Sequence, residues 1–143
     1  MAKRKIGSWE LKRKIGSGGN GEVWECIDQA GASFAMKILT RTTGEAYQRF
    51  LDEVKVMLSH QGNDGMLPVI DYNLPELNGS ELTEGELYYV MPLAIPAKER
   101  LFGCIFEEKQ NAIRDILKML CQLHHQGIAH RDIKIENILM YQE

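Results

Sequence analysis

Apolar residues recur along this chain with two different periods, and each change of period marks a new element. Residues 11–15 make a short strand pattern that runs into the turn Gly16-Ser17-Gly18-Gly19-Asn20-Gly21. Residues 22–28 lead out of the turn as a second strand carrying Val23, Trp24, Glu25, Cys26 and Ile27. After Gln29-Ala30-Gly31 a third apolar strand covers 33–39. The period then becomes helical, with Tyr47, Phe50, Leu51, Val54, Met57 and Leu58 on one stripe and Thr42 and Glu45 in a capping-box pattern before it. Two more strands are predicted over 66–72 and 86–91. Between them, residues 75–85 are polar, acidic and glycine-bearing, which predicts a surface insertion without chemistry. A short helix is predicted over 97–106 and a longer one over 107–126, with Ile113, Ile116, Leu117, Leu120, Cys121 and Leu123 as its buried face and Gly127 as its stop. These elements add up to an α+β fold: an antiparallel sheet with one main helix, then a helical region.

Composition narrows the partners. The chain has 143 residues, 44% of them hydrophobic and 26% charged, enough for one domain with a real core. A formal net charge of -3 argues against a dedicated nucleic-acid binder. The basic start Met-Ala-Lys-Arg-Lys precedes no secretory apolar core, and no apolar run reaches membrane-spanning length. Cys26, Cys104 and Cys121 are scattered and odd in number, which predicts reduced thiols in a cytoplasmic protein with neither nucleic-acid nor membrane partner.

The densest chemistry lies in Ala129-His130-Arg131-Asp132-Ile133-Lys134-Ile135-Glu136-Asn137-Ile138-Leu139-Met140. His-Arg-Asp, four residues, then Asn resembles the catalytic loop of eukaryotic-type protein kinases. Phosphoryl transfer needs a carboxylate to take the substrate hydroxyl's proton and an oxygen ligand for Mg²⁺, and Asp132 and Asn137 have that chemistry. Lys134 adds positive charge where negative charge develops, and a Lys there resembles the serine/threonine branch. His130 is expected to hold the loop rather than to act as a base. Upstream, a glycine turn between two strands differs from the strand-turn-helix of dinucleotide-binding folds and resembles the kinase loop that covers phosphates. Phe34-Ala35-Met36-Lys37 resembles the strand that carries the phosphate-orienting lysine. A lysine in an apolar strand is costly unless it meets an anion. Glu53, one helical turn from both Phe50 and Met57, is its predicted partner, because Glu45 belongs to the cap and Asp52 points further from the stripe.

The resemblance runs from about residue 9 to residue 141 and carries five motifs in the family's order. It implies ATP and Mg²⁺ as cofactors and a protein substrate bearing a Ser or Thr hydroxyl. Asp132, Lys134, Lys37 and Glu53 would then be the catalytic set and Asn137 the metal ligand. The nucleotide site would comprise Ile15, Gly16, Ser17, Gly18, Gly19, Asn20, Gly21, Val23, Ala35, Lys37, Met91, Pro92 and Ala94. Met91 would be the gatekeeper, with the Pro92 carbonyl and the Ala94 amide as adenine partners. The implied division is a small lobe over 9–91, a hinge over 92–96 and the start of an incomplete helical large lobe over 97–143. No Asp-Phe-Gly and no Ala-Pro-Glu occurs among the 143 residues. The chain by itself is therefore expected to bind Mg-ATP weakly, to transfer phosphate near background, and to self-associate through the uncovered face of its long helix. Two alternatives share these residues: a small-molecule phosphotransferase of the aminoglycoside or choline kinase type, and a non-catalytic nucleotide-binding or regulatory fragment. Arg131 and the regular glycine loop favour a protein kinase over the first.

Overall fold

The computed structural model of the chain describes residues 2–18, 21–41, 44–62, 67–78, 85–127 and 139–140. Six strands, β1 (Lys5–Ile6), β2 (Trp9–Ser17), β3 (Gly21–Ile27), β4 (Ser33–Leu39), β5 (Asp71–Asn73) and β6 (Tyr88–Pro92), pair antiparallel in the order β1-β2-β3-β4-β6-β5. The main helix, α1 (Gly44–Ser59), follows β4, and a single turn, α2 (Pro75–Asn78), follows β5. This is the α+β architecture expected of a small lobe. By backbone contacts the chain divides into two units: Met1–Gln61 with Leu67–Leu93, and a second unit that includes everything from Ala94 on.

Strand alternation gives the sheet two different faces. In the β3–β4–β6 register, Trp24 pairs with Met36 and Met36 with Val90, while Val23 pairs with Lys37 and Lys37 with Tyr89. Directly paired residues lie on the same side, so each set makes a transverse row. The first row belongs to a buried cluster of Ile6, Trp9, Leu11, Cys26, Met36, Ile38, Tyr88 and Val90, with Trp24 and Phe34 packed against it. Trp9 and Phe34 meet edge to face at 5.3 Å. The second row faces α1, whose Phe50 ring lies 5.3 Å from the Tyr89 ring. Helix α1 buries Ala46, Phe50, Leu51, Val54 and Met57, the residues that a 3.6-residue period puts on one stripe.

Asp71 stitches the cluster face together at the sheet edge. Its Oδ2 accepts from Trp9 Nε1 at 2.7 Å and from the Tyr88 hydroxyl at 3.2 Å, and its Oδ1 accepts from the Tyr72 amide at 2.9 Å. Burial, with the Asp71 charge behind it, pushes the Tyr88 phenol up to about 12. Burial likewise pushes the Cys26 thiol up to about 11, with smaller contributions from Glu25 and Asp28.

The second unit contains β7 (Ile95–Pro96), paired with β8 (Leu139–Met140), a single turn α3 (Ala97–Arg100), and the 20-residue helix α4 (Phe106–His125). The Glu108 carboxylate accepts from the Ile105 amide at the start of α4. Gly127, at a positive φ of 78° that L side chains rarely adopt, donates its amide to the His124 carbonyl and stops the helix. Among the described residues of this unit only Leu123 is buried. Ile113 and Leu117 are 58% and 57% exposed, and Phe102 and Phe106 are 90% and 75% exposed.

Several boundaries differ from the sequence expectation. The N-terminal β1 was not anticipated; it closes on β2 through the two-residue turn Gly7-Ser8, with Ile6 opposite Trp9. The strand predicted over 66–72 reduces to Asp71–Asn73, because Pro68 has no N–H to give a ladder. Ile70 still donates to the Val90 carbonyl at 2.7 Å, leading the chain into β5. Within 75–85, residues Pro75–Asn78 are helical, with proline at the first position where its missing donor costs nothing. The helix predicted over 97–106 is only the turn Ala97–Arg100, since the chain breaks at Gly103, at a φ of 79°. Glu45, assigned from sequence to a cap with Thr42, pairs with Arg49 one turn on; Thr42 lies outside the described residues.

Candidate functional site

β4 brings Lys37 to the α1 face because Phe34, Met36 and Ile38 occupy the other one. Its neighbours Ala35 and Leu39 share the Lys37 side and are buried. Lys37 Nζ donates to Glu53 Oε2 at 2.8 Å and to Glu53 Oε1 at 3.0 Å. The predicted pairing is therefore present, and the other acids of the helix are engaged elsewhere: Asp52 accepts from Gln48 and Glu45 from Arg49. Lys37 Nζ also lies 5.8 Å from the Phe50 ring and 5.9 Å from the Tyr89 ring, so two aromatic walls flank the charge. At 28% exposure, the Lys37 side chain keeps one side open to solvent.

Register places the other predicted residues of this face beside Lys37. Ala35 pairs with Met91, Val23 with Lys37, and Gly16 with Val23. Gly16, Val23, Ala35, Lys37 and Met91 thus lie on one side of the sheet. Ile15 sits in the register shift between Lys14 and Gly16 and is 40% exposed. Ser17 ends β2, Pro92 ends β6 opposite Phe34, and Ala94 opens the second unit.

The glycines of the turn have different reasons to be glycine. At Gly21 a Cβ would stand 2.6 Å from the Ile38 carbonyl oxygen, a contact that backbone cannot relieve. At Gly18 a Cβ would meet nothing within 4 Å, and at Gly16 only the Val23 Cβ at 3.8 Å. The Gly18 amide donates to the Gly21 carbonyl at 2.9 Å and closes the turn. Gly21 is thus required by the sheet itself, while Gly16 and Gly18 leave open backbone. Backbone left open at Gly16 and Gly18, together with the partly exposed Lys37 ammonium group, fits a polyphosphate.

Gly19, Asn20, Asp132, Lys134 and Asn137, together with His130 and Arg131, lie outside the described residues. Among the described residues no group of His, Cys, Asp and Glu could hold a metal, and no helix is long and apolar enough to cross a membrane. A cavity of about 660 Å³ near Arg4, Asn73, Glu86 and Tyr88 contains none of the predicted site residues. One contributor to the site escaped sequence reasoning. The Tyr89 hydroxyl donates to Glu53 Oε1 at 2.7 Å. Nothing in the run Tyr88-Tyr89 says which tyrosine faces the helix; only the pairing of Tyr89 with Lys37 decides it.

Comparison with known proteins agrees with this geometry. A family model described as the protein kinase domain matches residues 9–143. MAP kinase-interacting serine/threonine-protein kinase 1 of Xenopus tropicalis is 32% identical over 130 residues, which cover 87% of this chain and 30% of that protein. Serine/threonine-protein kinase PknA of Mycobacterium tuberculosis is 33% identical over an aligned length of 147, gaps included, that takes in 94% of this chain and 32% of that protein. A G-type lectin S-receptor-like serine/threonine-protein kinase, SD1-13, of Arabidopsis thaliana is 33% identical across 93% of this chain and 16% of its own length. The chain thus spans a third or less of the curated relatives it matches.

Proposed function

This chain belongs to the protein kinase domain family, and from that premise we propose that it serves ATP-dependent phosphorylation of Ser or Thr hydroxyls on a protein substrate. Residues 9–91 act as the small lobe, 92–96 as the hinge and 97–143 as the start of the large lobe. The observation that carries the reading is the ion pair of Lys37 with Glu53 on the sheet face that also holds the glycine turn. Lys37, aimed by Glu53, orients the nucleotide phosphates, and Gly16, Ser17, Gly18, Gly19, Asn20 and Gly21 cover them with backbone. Ile15, Val23, Ala35 and Met91 give the adenine an apolar seat, and the Pro92 carbonyl and Ala94 amide bind its edge. Asp132 takes the proton of the attacking hydroxyl, and Lys134 neutralises charge as the phosphoryl group moves. Asn137 holds Mg²⁺, which when bound offsets phosphate charge.

The 143 residues contain no Asp-Phe-Gly, so on this reading the chain by itself binds Mg-ATP weakly at best and transfers phosphate at or near background. Its uncovered α4 face, with Phe106, Ile113 and Leu117 exposed, drives self-association, which gel filtration at rising concentration measures. Radiolabelled phosphate transfer to a generic protein substrate tests the function in three proteins: this chain, its Asp132→Ala variant, and a form extended through an Asp-Phe-Gly segment. Transfer by the extended form alone, abolished there by Asp132→Ala, is the expected result. An extended form that binds nucleotide without transferring phosphate would make the domain a non-catalytic nucleotide binder.

A further inference from the structure

We propose that Tyr89 is a positioning residue, whose phenol holds Glu53 from the sheet side and so biases α1 toward the place where Glu53 meets Lys37. The inference rests on the nucleotide reading above for its functional consequence, and on geometry alone for its structural one.

Tyr89 is 2% exposed. A buried phenol needs an acceptor, and a phenol left without one is penalised. The acceptor here is Glu53 Oε1 at 2.7 Å, the same oxygen that takes one of the two Lys37 hydrogen bonds. Glu53 is therefore held by two donors from two strands, Lys37 on β4 and Tyr89 on β6, which are direct partners across the ladder. Lys37 is long, flexible and partly exposed, whereas Tyr89 is a rigid ring packed on Phe50, itself a residue of α1. Of the two donors Tyr89 has less freedom, so it sets where the carboxylate can stand. An outward movement of α1 would break the Lys37 pair and also strand the Tyr89 hydroxyl in the core. The phenol thus links the sheet to the helix independently of any nucleotide. Burial, reinforced by the Glu53 charge, pushes the phenol well above the ordinary tyrosine range, so it remains a proton donor throughout the neutral range.

The test is Tyr89→Phe, which keeps the ring and removes only the hydroxyl, alongside Glu53→Gln and the double variant. Two readouts are taken: hydrogen–deuterium exchange of the 44–59 segment without ligand, and Mg-ATP affinity by titration. Tyr89→Phe should speed exchange in 44–59 several-fold and weaken Mg-ATP binding about three- to tenfold, while exchange in β3 and β4 stays unchanged. In the Glu53→Gln background the added Tyr89→Phe should have a clearly smaller effect on both readouts, since its acceptor has been weakened. A merely structural tyrosine would lower the melting temperature and raise exchange evenly across the sheet; that result overturns the proposal. So does unchanged exchange in 44–59. Should the unaltered chain fail to bind Mg-ATP, the nucleotide reading falls, and the exchange data still decide the role of Tyr89.

Discussion

The two faces of the sheet are built from the same strands and answer different demands. On one, Met36 and Val90 are fully buried within a cluster that also takes in Ile6, Trp9 and Leu11. Its polar atoms, the Trp9 indole and the Tyr88 hydroxyl, are both satisfied by Asp71. On the other face, one residue along each strand, Lys37 stands in an apolar row and is stabilised by a helix carboxylate. The first face could be exchanged for another well-packed set at modest cost. The second differs because it carries a lysine paired with a helix carboxylate, an arrangement that an apolar set would not reproduce. A charge held between Phe50 and Tyr89 departs from the apolar pattern of its row, and the proposed phosphate-orienting role of Lys37 would account for it.

Stability and binding should therefore separate between the faces. Met36→Ala on the cluster face should lower unfolding free energy the most, by about 2–5 kcal/mol, measured by chemical denaturation. Asp71→Ala should cost about 1–3 kcal/mol, because it removes the acceptor of three donors, the Trp9 indole, the Tyr88 hydroxyl and the Tyr72 amide; a neutral result would mean water replaces the carboxylate and would weaken the contrast. Gly21→Ala should cost a similar about 1–3 kcal/mol through the Ile38 carbonyl clash, while Gly18→Ala stays within about 0.5 kcal/mol and shows itself only in nucleotide binding. Alkaline pH acts on both faces, since burial also raises the Tyr89 phenol on the α1 side, and the cluster face has two such groups. Cys26 and Tyr88, both on the cluster face, have folded values raised to about 11 and about 12. Each is neutral when folded and ionises more readily when unfolded. Their contribution is complete below the ordinary thiol range and is lost as pH rises through about 9 to 12, so the denaturation midpoint should fall across that window. Tyr88→Phe should flatten the upper part of the fall.

Legibility in the sequence followed the range of the interactions. The strand over 33–39 and the stripe of α1 matched because each is written in local alternation. The turn between β3 and β4 is equally local, with Asp28 accepting from the Ala32 amide and Gly31 at a φ of 86°. β1 was not anticipated although Gly7-Ser8 between Ile6 and Trp9 carries a hairpin signal; two residues of apolar pattern beside the basic run Lys3-Arg4-Lys5 are too short for alternation to show. Two of those charges are paired, Lys3 with Glu10 and Arg4 with Glu86. Glu53 could be picked because helical spacing limits which acids can reach the sheet. Tyr89 could not, since its role depends on a register between strands 52 residues apart, from Lys37 to Tyr89. The roles of Asp132, Lys134 and Asn137 rest on motif alone, because these residues lie outside the described structure.

Titration of Mg-ATP into the chain and its Lys37→Met variant puts the division between the two faces to its sharpest test. A partly exposed ion pair contributes only about 0.2–1 kcal/mol to folding, so the variant should unfold at nearly the same denaturant concentration. On the proposed reading, loss of the Lys37 charge should nevertheless weaken Mg-ATP binding by about tenfold or more. Equal affinity in the two proteins, with the fold intact, would contradict the account: Lys37 would then be a structural partner of Glu53, and the face it occupies would not be the nucleotide site.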